Sequence, residues 1–243
     1  LTLATGGTLP NSCEPNGHAI QARLYAEDPF NRFVPSPGPI PLLEWPRLAG
    51  LRVDVGFVSG DTVPSQYDAL IGKLIVHGRD RQHALALLER TLVELRIAGT
   101  ATNRPWLMAL LDREEFRSAS HTLALADDIT LVAGPPPADA IAAVARTRNH
   151  PEGSAAWTHS GAFRIVSDAT IALHGDVGEG WQSVAKIDRA GLVTISGEAT
   201  TSPGGLGIVE SDGIWDVTLP RGRWHIHPGA RMTADADIIV DGT

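Results

Sequence analysis

The chain has 243 residues, of which 43% are hydrophobic and 20% charged, a composition typical of a folded globular protein with one or two domains. Its formal net charge of −8 disfavours a nucleic-acid partner, because acidic surfaces repel phosphates. No uncharged run reaches the roughly 18 apolar residues that a membrane-spanning helix needs, so no membrane partner is expected either.

The start of the chain shows no secretion signal. No basic segment precedes an apolar one. The single cysteine, Cys13, can form no intramolecular disulfide and belongs to no C-x-x-C motif, which favours a cytoplasmic protein. Because the first residue is Leu rather than Met, we expect the sequence to be a piece of a longer chain.

Three strands and a proline-rich loop are predicted in the first third of the chain. Residues 18–26 alternate in part and predict a buried strand, and residues 70–77 predict another. Residues 51–58 alternate cleanly between them. The apolar side chains of this middle strand share one face: Leu51, Val53, Val55 and Phe57. Prolines spread over residues 28–41 exclude a helix there and predict an ordered loop.

Two helices are predicted next. Asp80 is a suitable N-cap, and Gly99 is a suitable stop for the helix that follows. Four leucines between them lie on one helical face: Leu85, Leu88, Leu92 and Leu95. A second helix over residues 104–113 carries Pro105 in its first turn, where a missing N–H costs nothing. Residues 1–122 therefore predict an α+β subdomain.

The second half of the chain has a different pattern. Residues 123–137 form a predicted linker with the run Gly134-Pro-Pro-Pro, and an Ala-rich helix is predicted over about 138–147. Residues 123–243 also carry 8 basic and 15 acidic side chains, against 12 and 13 in residues 1–122. After Trp157, short alternating strands predict an antiparallel sandwich or barrel. These strands are expected at 162–167, 169–174, 181–187, 191–197, 206–210, 214–219, 222–227 and 236–240.

Motifs for metal or phosphate binding are sparse. The sequence contains no phosphate-binding loop, no G-x-S-x-G string and no H-E-x-x-H string. His225 and His227 lie two apart on a predicted strand and so share a face. Zinc normally takes three or four ligands, and only Asp235 and Asp237 lie near this pair. We therefore predict no metal site.

Arg23 stands out because it lies in an otherwise apolar strand. A buried arginine is costly unless it is paired with an acid or used to bind an anion. An ion pair with Glu27, Asp28 or another acid is the structural alternative, and an anion site is the functional one. The spacing alone leaves both open.

Five strings of residues 17–122 resemble the C-terminal subdomain of biotin carboxylase, the ATP-grasp component of biotin-dependent carboxylases. They occur in the order and at the spacing of that family. The similarity is greatest to the α-subunits of acyl-CoA carboxylases that act on propionyl, methylcrotonyl, acetyl or longer acyl groups. The strings are GHAIQARLYAEDP, FVPSPG, LRVDVG, YDALIGKLIVHGRDR and AGTATNRPWLMALL.

The resemblance implies a reaction and a role for Arg23. In the family, ATP activates bicarbonate as carboxyphosphate, which delivers CO₂ to the ureido nitrogen of biotin while negative charge collects on the ureido oxygen. A fixed guanidinium suits that charge, and the family arginine with this role matches Arg23. Biotin is expected on a separate carrier domain. ATP and Mg are expected to bind mainly to a part that precedes Leu1, so the fragment alone should be inactive.

The resemblance also covers residues outside the reaction. Arg52 matches a family position at the carboxylase dimer interface, which implies self-association through this subdomain; its alternative is a solvated strand arginine. Tyr67 and Asp68 match a loop with a mainly architectural role. The sequence departs from the family at Gln21, where Glu is usual, and at Pro39, where a basic residue is frequent.

Residues 138–243 resemble, more weakly, the linking domain of acyl-CoA carboxylase α-subunits. In that family an antiparallel β-barrel surrounds a helix and contacts the carboxyltransferase β-subunit. The resemblance thus implies two partners, the biotin carboxyl carrier domain and the carboxyltransferase. A urea- or amide-type biotin-dependent carboxylase is one alternative, and a non-catalytic scaffold derived from a carboxylase is another.

Overall fold

The fold is given by a computed structural model, which describes residues 4–8, 14–132, 140–141, 169–175, 181–187, 193–195, 198–200, 207–211 and 214–227. Within residues 169–227 the side chains described are those of Val217, Pro220 and Arg221. The strands of the first half are β1 (His18–Tyr25), β2 (Glu27–Asp28), β3 (Val34–Pro35), β4 (Gly38–Pro39), β5 (Leu42–Glu44), β6 (Leu51–Val55), β7 (Thr62–Val63), β8 (Leu70–Gly78) and β9 (Arg96–Ala98). The helices are α1 (Arg81–Glu94), α2 (Arg104–Leu111), α3 (Glu114–Arg117) and α4 (Ala124–Asp127).

The centre of the first half is a three-stranded antiparallel sheet in the order β1-β8-β6. The three predicted strands are confirmed, although β6 ends at Val55 and leaves Phe57 outside it. Helix α1 packs on one face of the sheet, where Leu74 and Val76 of β8 meet Leu88 and Leu92 of the helix. Alternate residues of each strand therefore face the helix, and the others face away from it.

A second apolar cluster lies beside the first. Short strands from the predicted loop region and from the chain after α1 form it, with Ile40, Leu43 and Ile97 fully or almost fully buried. The β5–β9 pair, which places Leu43 opposite Ile97, holds this part together. Residues 28–41 contain no helix, as predicted, and they contribute only two-residue strands.

Helix α1 begins where the sequence predicts and ends earlier. The Asp80 side chain accepts a hydrogen bond from the His83 amide at 2.7 Å, which confirms the N-cap. The helix ends at Glu94, and Leu95 caps it in an extended conformation instead of continuing the apolar face. Gly99 lies beyond β9, not at the helix end, with φ of +102°. A Cβ there would lie 2.6 Å from the Pro39 carbonyl oxygen, so glycine is required by this close approach.

The described strands of the second half form one seven-stranded antiparallel sheet in the order β13-β12-β11-β10-β16-β15-β14. Five of the predicted strands are confirmed, the one at 191–197 is found in its described residues as the short strand Val193–Ile195, and the strand Glu198–Thr200 was not predicted. Residues 140–141 are helical, but the rest of the predicted helix and the strands at 162–167 and 236–240 lie outside the described residues. Closure into a barrel stays a prediction, as do the boundaries at 122 and 138. The strands are β10 (Ala169–Gly175), β11 (Trp181–Ile187), β12 (Val193–Ile195), β13 (Glu198–Thr200), β14 (Gly207–Ser211), β15 (Ile214–Leu219) and β16 (Gly222–His227).

The second sheet lies against the first half of the chain. Strands β14 and β15 are close to β9, and the Val217 side chain of β15 is fully buried. In the turn before β16, Arg221 forms a two-pronged ion pair with Asp112 at the end of α2, with N–O distances of 2.7 and 3.3 Å. None of the helices that the structure describes is long and apolar enough to cross a membrane.

Candidate functional site

Arg23 lies on the exposed face of the three-stranded sheet. Along β1, Ala22 and Leu24 are buried against the helix side, so Arg23 points to the opposite face. In the register of the sheet Arg23 is opposite Lys73, and Lys73 is opposite Asp54. The prediction from the sequence that Arg23 is buried is wrong, because its side chain is exposed. The apolar residues on either side of Arg23, Ala22 and Leu24, belong to the other face of the strand.

The Arg23 guanidinium has no acid partner among the residues that the structure describes. The alternative of an ion pair with Glu27 or Asp28 therefore finds no support. The Asp28 carboxylate accepts a hydrogen bond from the Phe30 amide at 3.0 Å and holds the turn after β2. Glu27 lies near Asp68 instead, and partial burial together with that negative charge raises the pKa of the Glu27 carboxyl group.

The backbone around Arg23 is fixed by Asn103, a residue that the sequence analysis missed. The Asn103 side-chain amide donates to the Arg23 carbonyl oxygen at 3.1 Å, and its Oδ1 accepts from the Tyr25 amide at 3.0 Å. The Asn103 amide also donates to the Tyr25 carbonyl oxygen at 3.2 Å. Asn103 is the N-cap residue of α2, but its side chain makes no cap hydrogen bond because β1 uses both of its polar atoms.

A cavity of about 270 Å³ opens beside this part of β1. One wall is the strand itself from Ile20 to Arg23, and the other walls come from α1, α2 and Phe116. The lining from the helices is mainly apolar and includes Leu88, Leu92 and Leu107. Arg23 and Gln21 thus stand at the border between an apolar groove and the exposed face of the sheet.

An aromatic pair extends the wall near Tyr25. Trp106 of α2 lines the cavity, and the Phe33 ring meets it edge-on, with 5.8 Å between the ring centres and 81° between their planes. Arg32 and Phe33 hold φ values of 53° and 57°, which only a minority of non-glycine residues adopt. The turn after β2 therefore brings Phe33 against α2. The N-cap residue of this helix, Asn103, is the residue that bonds the backbone of Arg23.

Arg52 lies on the same exposed face as Arg23 and differs from it in having a partner. Its Nε and Nη2 donate to the two carboxylate oxygens of Asp54, both at 2.8 Å. The Arg52 side chain is 73% exposed. This geometry agrees with a solvated strand arginine and leaves the interface role as a prediction. Tyr67, from the loop before β8, is 82% exposed, and Gln21 is exposed on the face that carries Arg23.

No group of three or more His, Cys, Asp or Glu side chains within the described part of the chain could hold a metal ion. Cys13, Asp235 and Asp237 lie outside the described residues, and so do the side chains of His225 and His227 in β16. The arrangement around Arg23 offers a positive charge beside an apolar groove, on a strand whose backbone Asn103 holds in place. Such a site suits a ligand with an apolar body and an oxygen that carries negative charge.

Residues 21–127 match the family described as the biotin carboxylase C-terminal domain. Methylcrotonoyl-CoA carboxylase subunit alpha of Rattus norvegicus is 40% identical over 127 residues, which cover 50% of this chain and 18% of that protein. The biotin-dependent acyl-coenzyme A carboxylase alpha3 subunit of Mycobacterium leprae is 42% identical over 97 residues, 40% of this chain and 16% of that protein. Urea amidolyase of Saccharomyces cerevisiae is 38% identical over 106 residues, 44% of this chain and 6% of that protein.

The folds agree as well. The crystal structure of a biotin carboxylase–β,γ-ATP complex from Campylobacter jejuni superposes with a TM-score of 0.50 at 32% identity, covering 53% of this chain and 29% of that one. The family match and the fold agree over residues 21–127, so the resemblance to the biotin carboxylase C-terminal domain predicted from the sequence is confirmed for this part. The chain spans about a fifth of the length of the acyl-CoA carboxylase subunits that it matches.

Proposed function

We propose that the chain is part of the α-subunit of a biotin-dependent acyl-CoA carboxylase, and that the intact subunit carboxylates biotin with ATP and bicarbonate. The family match over residues 21–127 and the two acyl-CoA carboxylase relatives support this proposal. The observation that carries it is the state of Arg23. Its side chain is exposed and lacks an acid partner within the described residues, while Asn103 holds its backbone in place.

The residues around Arg23 fit the charge that biotin would present. Biotin, when bound, supplies a ureido nitrogen that accepts the carboxyl group and a ureido oxygen on which negative charge collects. The Arg23 guanidinium is permanently charged and weakly hydrated, so it stabilises a negative oxygen without taking part in proton transfer. Because Asn103 fixes the strand, the backbone that carries the guanidinium need not rearrange when the charge develops.

The freedom of the guanidinium matters as much as its position. A carboxylate within hydrogen-bond distance would already neutralise Arg23 and would weaken its attraction for a ligand oxygen. Arg52 illustrates the contrast, because Asp54 occupies two of its donors. Of these two arginines on one face of the sheet, Arg23 is therefore the better candidate for binding biotin.

The test is ATP- and bicarbonate-dependent carboxylation of free biotin by the intact subunit. Arg23→Ala should lower the rate at least about tenfold, as the loss of one donor to a developing charge commonly does. Arg23→Lys should recover only part of the rate, because an ammonium group lacks the planar fork. Arg90→Ala is the matched control, since Arg90 is an exposed arginine paired with Glu94 on the outer side of α1. A wild-type rate of biotin carboxylation in Arg23→Ala would show that Arg23 has no role in the reaction.

The second sheet is proposed to supply subunit contacts. Residues 138–243 follow the residues that match the carboxylase family, and the described strands among them form one antiparallel sheet, which suits a linking domain between the carboxylase and its partners. The partners would be the biotin carboxyl carrier domain and the carboxyltransferase β-subunit. Deletion of residues 138–243 should abolish co-purification with the carboxyltransferase, and unchanged co-purification would contradict this role. A cytoplasmic location remains a prediction from the sequence.

A urea- or amide-type carboxylase is the second candidate, favoured by the similarity to urea amidolyase. Both candidates share the carboxylation of biotin, so the assay on Arg23 does not separate them. Acyl-CoA carboxylation by the purified complex supports the first candidate. Urea carboxylation by the intact protein in the absence of any acyl-CoA would support the second. A subunit that carboxylates no biotin would point to a non-catalytic scaffold.

A further inference from the structure

Lys73 stands between Arg23 and the carboxylate of Asp54 on the central sheet. In the register of the sheet, Lys73 of β8 is directly opposite Arg23 of β1 on one side and directly opposite Asp54 of β6 on the other. Directly opposite residues of an antiparallel sheet share a face, so the three side chains form one row across it. Arg23 and Asp54 are exposed, and Lys73 is partly buried. The row therefore reads cation, cation, anion.

The two cations of this row are close neighbours. Asn103 bonds the Arg23 carbonyl and the Tyr25 amide from outside the sheet, so the main-chain groups of Arg23 point away from β8. Residues paired in this way across two antiparallel strands have Cα atoms only about 4.5 Å apart, closer than the hydrogen-bonded pairs. Like charges placed directly opposite one another are destabilising. The fold alone thus gives no reason for a lysine beside Arg23.

The surroundings of Asp54 supply a reason. Arg52 donates to both carboxylate oxygens of Asp54, each at 2.8 Å. These hydrogen bonds, and after them the charges of Arg52 and Lys73, lower the pKa of the Asp54 carboxyl group. Lys73 itself forms no ion pair within 4.0 Å with an acid of the described residues, so its charge acts on Asp54 from farther away. Repulsion by Arg23 and attraction by Asp54 both favour an ammonium group that leans towards β6.

Without Lys73, Asp54 would be a competing partner for Arg23. The two residues are separated by two strand spacings, or about 10 Å, a gap that an arginine and an aspartate side chain extended towards each other can bridge. A carboxylate is also a strong partner for a guanidinium, because the two groups can form parallel hydrogen bonds. In the observed row, the ammonium group of Lys73 occupies the space that such a pair would need.

We propose that Lys73 is a positioning residue that keeps the Arg23 guanidinium unpaired by standing between it and Asp54. This inference rests on the proposed function, in which a free Arg23 meets the negative oxygen of biotin. Lys73 acts through Arg23 and is not assigned a contact with the ligand. Its partial burial suits this role, because a lysine stem packed on the sheet keeps the ammonium group near β8.

A rescue experiment in the intact subunit tests the proposal. Lys73→Met keeps most of the aliphatic stem and removes the charge. It should lower kcat/KM for the carboxylation of free biotin about two- to fivefold, the effect expected when an exposed ion pair forms between Arg23 and Asp54. Adding Asp54→Asn to Lys73→Met should restore the wild-type value, because the competing carboxylate is gone. A double variant as slow as Lys73→Met would overturn the proposal, since Lys73 would then act on the ligand directly.

Two single variants serve as controls for the rescue. Asp54→Asn alone should leave kcat/KM at the wild-type value, because Lys73 already keeps Arg23 away from this carboxylate. Lys73→Arg keeps the positive charge between the two residues and should also keep the wild-type value. A Lys73→Arg variant as slow as Lys73→Met would contradict the proposal, since the charge of Lys73 would then not be what matters.

The chemical reactivity of Arg23 provides a readout that does not depend on carboxylation. Phenylglyoxal modifies guanidinium groups, and peptide mass spectrometry gives the rate at each arginine of the intact subunit. The rate at Arg23 should fall about two- to fivefold in Lys73→Met and return to the wild-type value when Asp54→Asn is added. Arg90, which is paired with Glu94 on α1, is the internal reference. An unchanged rate at Arg23 in Lys73→Met would overturn the proposal.

The failure of this inference can be told apart from failure of the proposed function. If the intact subunit carboxylates biotin while Lys73→Met changes neither the rate of carboxylation nor the reactivity of Arg23, the role of Lys73 is wrong and the function stands. If the reactivity of Arg23 falls in Lys73→Met and recovers with Asp54→Asn, but no biotin is carboxylated, the role of Lys73 stands and the function is wrong.

Discussion

Asn103 and Tyr25, 78 residues apart in the sequence, are joined by two main-chain hydrogen bonds of Tyr25, one to the Asn103 side chain and one from the Asn103 amide. Together with the bond from the Asn103 side chain to the Arg23 carbonyl oxygen, they attach the start of α2 to the end of β1. Asn103 is only 7% exposed, so water cannot readily replace it. The position of Arg23 therefore depends on a residue that is nowhere near it in the chain.

Asn103→Ala should destabilise the protein and loosen the backbone that positions Arg23. It leaves the Tyr25 amide and the Arg23 carbonyl without their partners, and each such group costs about 1–3 kcal/mol when water cannot reach it. We expect a loss of about 2–4 kcal/mol in the free energy of unfolding, measured by urea denaturation. Asn103→Asp keeps the acceptor for Tyr25 and loses the donor to Arg23, so it should lose less stability than Asn103→Ala. Equal stability of all three proteins would show that the bonds contribute nothing.

Glu27→Gln should stabilise the protein near neutral pH. Partial burial, and then the charge of Asp68, raise the pKa of the Glu27 carboxyl group. A raised pKa means that the folded state binds the proton more tightly than the unfolded state. The contribution of Glu27 to the free energy of unfolding therefore falls as the pH rises from the ordinary pKa of Glu through the raised value. Thermal unfolding should show a higher midpoint for Glu27→Gln at about pH 7 and no difference at about pH 4.

Asp68→Asn provides the control for that prediction. It removes the second cause of the shift and leaves the larger one, burial, in place. Its gain in stability at neutral pH should therefore be smaller than that of Glu27→Gln. A stability difference between Glu27→Gln and the wild type that does not grow with pH over this range would contradict the assignment.

Arg104→Met should leave the protein as stable as before or make it more stable. Arg104 is fully buried, its Nη1 donates to the Leu95 carbonyl oxygen, and its Nε and Nη2 have no hydrogen-bond partner among the described residues. Burial lowers the pKa of the guanidinium to about 9, which reflects the cost of keeping a charge there. Methionine fills a similar volume without a charge, and we expect a gain of about 1 kcal/mol in chemical denaturation. Arg104→Ala, which leaves a cavity, should instead destabilise.

The ion pair between Arg221 and Asp112 should couple the two halves of the chain weakly. Both side chains are about half exposed, at 55% and 50%, so solvent screens the attraction. A double-mutant cycle with Asp112→Asn and Arg221→Gln should give a coupling free energy of about 0.5–1 kcal/mol at low ionic strength. The coupling should shrink as salt is added. A coupling that does not respond to salt would mean that the two residues interact through packing.

The parts of the fold that depend on local sequence could be predicted. Strands β1 and β8 follow from their apolar patterns, and the start of α1 follows from the Asp80 cap. The end of α1 could not be predicted, because Leu95 continues the apolar helical spacing. What stops the helix is the pairing of β9 with β5, a contact between segments about 50 residues apart that leaves no mark in the local pattern.

The candidate site could be predicted only in part, because some of its contacts join segments that are far apart in the sequence. Arg23 could be singled out because an arginine is unusual in an apolar strand, but its exposure could not be seen before the two faces were known. Asn103 carried no signal for its role. An asparagine before a proline-containing helix predicts an N-cap. Only the folded structure shows that the Asn103 side chain forms its hydrogen bonds with β1 instead of with the helix.

The alternation of buried and exposed residues along β1 assigns neighbouring positions to different roles. Substitutions at Ala22 or Leu24 should impair folding, whereas those at Gln21 or Arg23 should keep the fold and change the properties of the exposed face. A deep mutational scan of this strand, scored in parallel for abundance and for growth, should accordingly give two tolerance profiles displaced by one residue. The exposed face of the strand can thus be changed at one set of positions without disturbing the buried set that holds the fold.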